Sequence, residues 1–369
     1  MKNLENVSRR GFIRTAAVGA GALTLSAWLP AFAATKPGKK LGIALVGLGG
    51  YSGGQLAPAL QQTQHCYLAG IVTGTPAKAT EWAQKYNIPQ KNIYNYQNFD
   101  SIKDNPDIDI VYVVLPVSMH KEYTIRAAKA GKHVICEKPM ALNVADCQEM
   151  IDACKKAKRM LSIGYRLHFD PYHQEIMRLG QKQVLGALTA FEAANGFQWG
   201  NYNLDAWRLK KALAGGGGLM DMGVYTIQAA RYTTGKEPIA VTARQEKLRP
   251  EVFKEVDETV FFELEFPGGL KAQCKSSYNN NWSSLKATAQ KGSFELNPGF
   301  PYNGIRGQST LGPISYPPMN QQAAQMDDFA QCVSLGKATR VPGEEGLKDM
   351  KVVEAIYRSL ANGGKRELV

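Results

Sequence analysis

The run Leu41-Gly42-Ile43-Ala44-Leu45-Val46 empties directly into Gly47-Leu48-Gly49-Gly50-Tyr51-Ser52, and Gln55 to Gln62 then reads as a helix. No other stretch limits the fold as much. The strand shows no polar alternation, so both its faces are buried, as in a parallel sheet covered by helices. The glycines follow Gly-x-Gly-x-x-Ser, a variant of the dinucleotide-binding fingerprint, and they stand where it requires them, between strand and helix. Gly47 permits the tight turn, Gly49 lets a pyrophosphate approach the backbone, and Ser52 takes the place of the third small residue. Leu48 and Tyr51 belong to the same loop. Gly47, Leu48, Gly49, Tyr51 and Ser52 are therefore candidate cofactor contacts.

The alternation of strand and helix continues. Tyr67 to Val72 is a second strand ending at Thr73-Gly74. An NAD site often places a carboxylate here for the ribose hydroxyls, and this chain has none. Thr73 offers a hydroxyl and Lys78 an ammonium one turn on, which suits a phosphate on the ribose and favours NADP over NAD. Taken alone, Lys78 also fits a solvated helix position. Ile108 to Val114 is a third strand, and Leu115-Pro116-Val117-Ser118-Met119-His120 forms a loop at its carboxyl edge. Leu115, Pro116 and His120 are candidate cofactor contacts there, His120 equally a residue that starts a helix. Tyr123 to Ala130 reads as a helix stopped by Gly131. Lys132 to Ile135 then delivers Cys136-Glu137-Lys138-Pro139, which puts Lys138 at the sheet edge where open α/β folds bind ligands. Val144 to Lys158 is an amphipathic helix, and Leu161 to Gly164 a closing strand.

From about residue 165 the pattern changes. His168 to Arg178 reads as helical, and strand-like runs follow at 187–192, 239–247, 259–266, 270–277 and 285–290, with a hairpin turn at Pro267-Gly268-Gly269. Met319 to Leu335 and Glu344 to Ala361 read as closing helices. The expected fold is an α/β Rossmann nucleotide-binding domain over 34–164. An α+β domain with a large, mainly antiparallel sheet follows over 165–369, for substrate binding and oligomerisation. Its C-terminal helix can pack back on the first domain. Within it, Gly215 to Gly218 precede Leu219-Met220-Asp221-Met222-Gly223-Val224-Tyr225. Four glycines suggest a backbone pressed against a ligand before a helix begins. In a helix from about Leu219, Asp221 and Tyr225 stand at i and i+4 on one face. An acid and a phenol placed so can hold and deprotonate a polyol hydroxyl. A glycine hinge with Tyr225 packed in the core fits the spacing equally well.

The formal net charge is +12, but its basic residues are scattered rather than clustered, which argues against a nucleic-acid partner. None of the 6 cysteines forms a Cys-x-x-Cys pair, so no metal or redox motif is expected. Ser8-Arg9-Arg10-Gly11-Phe12-Ile13-Arg14 precedes an apolar run from Ala16 to Leu29 and the small-x-small site Ala31-Phe32-Ala33. That order makes a secretory signal over residues 1–33 rather than a membrane span. The paired arginines resemble the twin-arginine export signal. The expectation is a periplasmic protein exported already folded, with the twin-arginine machinery as a partner.

Gly47-Leu48-Gly49, Cys136-Glu137-Lys138-Pro139 and Gly215 to Tyr225 together resemble the Gfo/Idh/MocA family of sugar oxidoreductases, over essentially all of residues 40–369. Many members have histidine where this chain has Tyr225. That tyrosine, Gly164-Tyr165-Arg166, Trp207-Arg208-Leu209 and Gly343-Glu344-Glu345-Gly346 are similar to the glucose–fructose oxidoreductase branch. The resemblance implies a catalytic set of Lys138, Tyr225 and Asp221. Tyr225 is the acid/base for the C1 hydroxyl of an aldose. A free phenol ionises near pH 10, so a nearby ammonium such as Lys138 is needed to favour the phenolate. Asp221 holds a sugar hydroxyl. Tyr165, Trp207 and Arg208 join these three as substrate contacts, and Glu137, Lys138 and Arg166 join the cofactor contacts. The implied function is oxidation of an aldose to its lactone by tightly bound NADP, then reduction of a second sugar. Outside the cytoplasm free NADP is scarce, so a retained cofactor must be reoxidised in place. An aldose dehydrogenase with exchangeable NADP and a nucleotide-bound sugar sensor without turnover are the alternatives. A homo-oligomer, dimer or tetramer, is expected. One feature departs from that branch: only Ala34 to Lys40 separate the cleavage site from the first strand, too few for a long arm around the cofactor.

Overall fold

The computed structural model describes residues 38–200 and 203–369, so the predicted export signal lies outside the described residues. The first sheet has the strands β1 (Leu41–Val46), β2 (Cys66–Val72), β3 (Ile93–Tyr94), β4 (Ile110–Val113), β5 (His133–Cys136) and β6 (Leu161–Ile163). Their order is β3-β2-β1-β4-β5-β6, and every pairing is parallel. All six residues of β1 are buried. The chain leaves β1 toward β2 and β3, then returns to β4 on the other side. This reversal opens a crevice at the carboxyl ends of β1 and β4, the usual ligand position in such sheets. The glycine loop and Leu115-Pro116 both lie at that crevice.

The helices of this half are α1 (Ala57–Leu60), α2 (Pro76–Tyr86), α3 (His120–Lys129) and α4 (Val144–Lys156). A π-helical turn over Ser52–Leu56 feeds α1, so the helix forms earlier than the sequence suggests. α3 also starts earlier, at His120, because a 3₁₀ turn over Val117–Met119 leads into it. Asn143 caps α4 by accepting from the Asp146 N–H at 2.8 Å.

The second half carries α5 (Pro171–Gln181), β7 (Leu188–Gly196), α6 (Lys211–Ala214), α7 (Val224–Thr234) and β8 (Ala240–Glu246). It continues with β9 (Thr259–Glu265), β10 (Lys271–Ser277), β11 (Ser283–Ala289), β12 (Gly292–Leu296), β13 (Gly307–Ser309) and β14 (Gly312–Ile314). α8 (Gln321–Leu335), α9 (Gly343–Ala361) and β15 (Glu367–Leu368) close the chain. The second sheet runs β14-β13-β12-β11-β7-β10-β9-β8-β15; only β7 and β10 pair parallel. The expected helix over 168–178 is broken. Arg166–Phe169 is a 3₁₀ turn, and Asp170 caps α5 ahead of Pro171, which sits at the first helical position. The helix expected from Leu219 begins as a π turn, Leu219–Gly223, before α7 takes over.

The penultimate helix, α8, packs back on the first half. Its Ala323, Met326, Phe329, Ala330 and Val333 share one core with Leu41, Ile43, Leu45 and Leu56. Asp327 anchors it by accepting from the N–H groups of Gln64 and His65, at 2.9 and 2.7 Å. α9 lies against α4 and β8. Its Asp349, 1% exposed, takes Arg231 of α7 at 2.5 Å, with Tyr165 and Gln228 on its other oxygen.

His133 and His173 are both buried in the neutral form. His173 Nε2 donates to Gly299 O at 2.7 Å while Nδ1 accepts from the Tyr232 hydroxyl at 2.5 Å. Burial lowers both His173 and His133 to about 3. Both folded values lie below the unfolded value near 6.5, so on acidification the unfolded chain binds protons first. Stability from these groups is complete above roughly pH 6.5 and is lost as pH falls from there, on the order of 2 kcal/mol per histidine by about pH 5. The urea midpoint should fall between pH 7.5 and 5, and His173→Gln should flatten the fall. An equal drop in the variant contradicts this assignment.

Candidate active site

At the reversal between β1 and β4 a cleft of about 1190 Å³ opens, walled on its far side by the second sheet. Gly47 makes the turn at its nucleotide end with φ +94°; a Cβ there would lie 2.4 Å from Val114 O. A Cβ on Gly49 would meet nothing within 4 Å, so this backbone faces open cleft and is free to receive a phosphate. Thr73, Thr75, Lys78 and Tyr96 line the same end. The Thr73 hydroxyl accepts from Thr75 N–H at 3.2 Å, and Lys78 Nζ donates to Leu48 O at 3.2 Å. A hydroxyl and an ammonium at the end of β2, with no carboxylate following the strand, fit a nucleotide that carries a phosphate on its ribose.

Lys138 stands in the middle of the cleft. Its Nζ donates to the Asp221 carboxylate and to the Asp221 backbone oxygen, each at 2.8 Å, and lies 4.8 Å from the centre of the Tyr225 ring. Asp221 Oδ2 accepts from Arg208 Nε at 3.2 Å and from the Tyr278 hydroxyl at 3.0 Å. Burial works against the Asp221 carboxylate, but Lys138 and Arg208 outweigh it and hold the group well below the usual carboxylate range. Burial likewise works against the Lys138 ammonium, and Asp221 more than restores it, so Lys138 is charged. A carboxylate has about four acceptor positions. Three are used here, which leaves one for a ligand hydroxyl. Tyr225 lines the cleft beside the pair, and Trp207 and Arg208 form its outer wall, with the Arg208 guanidinium 4.4 Å over the indole.

A nucleotide loop, a lysine at the end of the fifth parallel strand and an Asp/Tyr pair on a glycine-led helix meet in one cleft. Residues 41–165 match the model of the oxidoreductase family with an NAD-binding Rossmann fold, and residues 173–295 match the GFO/IDH/MocA C-terminal domain. The chain belongs to the Gfo/Idh/MocA family. It is 43% identical to a crystal structure of aldose–aldose oxidoreductase from Caulobacter crescentus, with a TM-score of 0.86, covering 90% of this chain and 100% of that one. It is 26% identical over 331 residues to the D-xylose 1-dehydrogenase [NADP(+)] of Haloarcula marismortui, covering 86% of this chain and 90% of that protein. A second D-xylose 1-dehydrogenase (NADP(+)), from Haloferax volcanii, is 27% identical over 332 residues, covering 88% and 98%.

Several residues expected at the site do other work in this Gfo/Idh/MocA protein. Ser52 is fully buried, and its hydroxyl donates to Gly47 O at 2.6 Å; it braces the glycine turn and does not line the cleft. Tyr165 is also buried, donating to Asp349 at 2.5 Å behind the active site, and so is not a cleft residue. Glu137 keeps an edge in the cleft, yet its carboxylate accepts from the Tyr112 hydroxyl at 2.6 Å and from its neighbour's N–H, Lys138 N, at 3.2 Å. His120 lies between Leu115 O and Pro139 O, at 2.9 and 3.0 Å, and its neutral ring can donate to one of the two. The glycine run is pressed against protein. A Cβ on Gly217 would lie 1.9 Å from Asp257 O, and Asp257 accepts from the Gly217 and Leu219 N–H groups at 2.9 and 2.7 Å. Leu48, Tyr51, Leu115, Pro116 and Arg166 line the cleft. Tyr278 and Tyr302 were missed. One follows the end of β10 and the other sits in the Pro/Gly-rich segment 298–304, and strand ends and such loops are the available signal.

Losing one charge-assisted hydrogen bond costs roughly 1.5–3 kcal/mol. Lys78→Ala should therefore weaken NADP binding by about 10- to 100-fold and leave NAD binding nearly unchanged, measured by titration of nucleotide-stripped protein. Equal losses for both nucleotides would remove Lys78 from the ribose-phosphate site.

Proposed function

We propose that this protein is an NADP-dependent sugar oxidoreductase that keeps its cofactor, oxidises an aldose to the lactone and reduces a second sugar. The observation that carries this reading is the meeting of Lys138, Asp221 and Tyr225 where the nucleotide end of the cleft joins its polar pocket. The names of similar proteins, aldose–aldose oxidoreductase and D-xylose 1-dehydrogenase [NADP(+)], support the substrate class and the cofactor. Bound NADP supplies the hydride acceptor in one half-reaction and the donor in the other. The protein's part is proton transfer and placement. Tyr225 takes the C1 hydroxyl proton as the aldose is oxidised and returns a proton to the carbonyl oxygen of the second sugar. Lys138 hydrogen-bonds the reacting oxygen with its remaining donor. The free acceptor position of Asp221 orients a neighbouring hydroxyl, and Trp207 offers an apolar wall to the sugar.

The reading includes export through the twin-arginine route to the periplasm, supported by Arg9-Arg10 and the apolar run after them. Scarcity of free nucleotide there is the reason for a cofactor that does not leave. It also includes a homo-oligomer, for which the wide nine-stranded sheet supplies a surface.

Protein purified without added nucleotide should absorb in the reduced-nicotinamide band once an aldose is added, and lose that band when an acceptor sugar follows. Turnover of one aldose only when free NADP is supplied would favour the exchangeable-cofactor dehydrogenase. Tyr225→Phe and Lys138→Ala should each lower turnover by about 10²- to 10⁴-fold while keeping nucleotide bound. A fully active Tyr225→Phe variant would remove the tyrosine from proton transfer.

A further inference from the structure

The positive charges around Tyr225 are not balanced equally. Lys138 has a carboxylate partner, Asp221, at 2.8 Å. Arg166 has none. Its side chain is 4% exposed, and its guanidinium donates only to neutral acceptors: Phe300 O at 2.6 Å, Pro301 O at 3.2 Å and the Gln321 amide oxygen. Among the described residues no carboxylate lies within ion-pair distance of it. Asp170 is one step removed, accepting from the Gln321 amide at 2.8 Å. Arg166 Nε is buried with no hydrogen-bond partner. The guanidinium lies between two phenols, its centre 5.3 Å from the Tyr225 ring and 4.4 Å from the Tyr302 ring.

We propose that Arg166 is the positioning residue for proton transfer at Tyr225, supplying a charge with no ion-pair partner in contact, against which the Tyr225 phenolate forms. An unpaired buried cation is costly, and an anion beside it relieves that cost. When Tyr225 gives its proton to the carbonyl oxygen of a sugar, the phenolate left behind is that anion. When the phenolate takes the hydroxyl proton of an aldose, the cation is unpaired again. The two states of the proton-transfer step are thereby brought closer in energy. Phe300 O, Pro301 O and the Gln321 amide oxygen take three of the five guanidinium N–H donors of Arg166.

The other groups that face Tyr225 do not take this role. Glu137, on the turn after β5, is engaged with Tyr112 and with Lys138 N–H. Tyr302 is pushed by burial to about 12, and burial also raises Tyr51 of the glycine loop, so both stay phenols. Burial lowers His168, on the turn before α5, to about 4, leaving it neutral at working pH. Asp221, on the π turn ahead of α7, is ionised and matched by Lys138 and Arg208.

The proposal rests on Tyr225 being the acid/base, and one experiment separates the two claims. The pH profile of kcat for aldose oxidation is measured on the holoenzyme, with nucleotide content checked for every variant. An opposite charge at this distance moves an ionisation by about 1–3 pH units. In Arg166→Gln the rising limb should move to higher pH by about one unit or more relative to the parent protein, so that on the rising limb activity falls about 10-fold and recovers at higher pH. Arg166→Met, which keeps the stem between the two rings, is a second neutral variant for which the same shift is expected. Arg166→Lys should hold the limb near its original position. A neutral variant that keeps its nucleotide and its limb in place overturns the proposal while leaving Tyr225 as acid/base. If Tyr225→Phe is fully active, the underlying reading fails instead.

Discussion

The ion pair between Lys138 and Asp221 joins the two halves of the protein across the cleft. Lys138 comes from the turn after β5 of the parallel sheet, and Asp221 from the π turn that opens α7, above the second sheet. Each half holds its partner from behind. Tyr112 and the Lys138 N–H fix Glu137, and Gln325 of α8 donates to Tyr112 at 2.9 Å. On the other side Asp257 pins the Gly217 and Leu219 N–H groups, and Tyr278 and Arg208 hold the second oxygen of Asp221. Removing Asp221 would leave the part-buried Lys138 ammonium without a carboxylate, at a cost of roughly 1–3 kcal/mol. The pair therefore acts as a lock on the relative placement of nucleotide loop and substrate wall. Both groups stay ionised across the physiological range.

Much of this was legible along the chain. An unbroken apolar strand ending in glycines implies a parallel sheet, and the alternation that follows places the loops after β1, β2, β4 and β5 on one edge. What sequence spacing does not carry is side-chain direction. Ser52 and Tyr165 sit beside the right motifs, but each turns inward, Ser52 to Gly47 O and Tyr165 to Asp349, a residue 184 positions away. The glycine run could be read as a ligand cradle because glycine signals only close approach. The neighbour turns out to be Asp257, brought by β9 from elsewhere in the chain. Tyr278 and Tyr302 escaped notice because loops have no periodicity. β3 and β13 to β15 are too short for alternation to show. The return of α8 to the first sheet is a tertiary choice that an amphipathic pattern leaves undecided.

Charge is distributed over the cleft in a way that divides labour. The nucleotide end offers backbone, hydroxyls and Lys78. The centre holds one neutralised pair. Beside it lies a buried guanidinium with only neutral partners, aligned with the phenol that must change its charge. A site that balanced every charge in its resting state would oppose the formation of a phenolate. Leaving Arg166 unbalanced places the cost in the resting state, where the surrounding fold sustains it.

That central claim, hydride passed from one sugar to another at a cofactor that never leaves, is tested by an isotope. Aldose deuterated at C1 is mixed with an acceptor sugar and catalytic amounts of protein, without added nucleotide, and the products are weighed by mass spectrometry. The account predicts an alditol carrying one deuterium, formed over many turnovers and in step with lactone. No alditol beyond a single equivalent of protein, or alditol without deuterium, would contradict it.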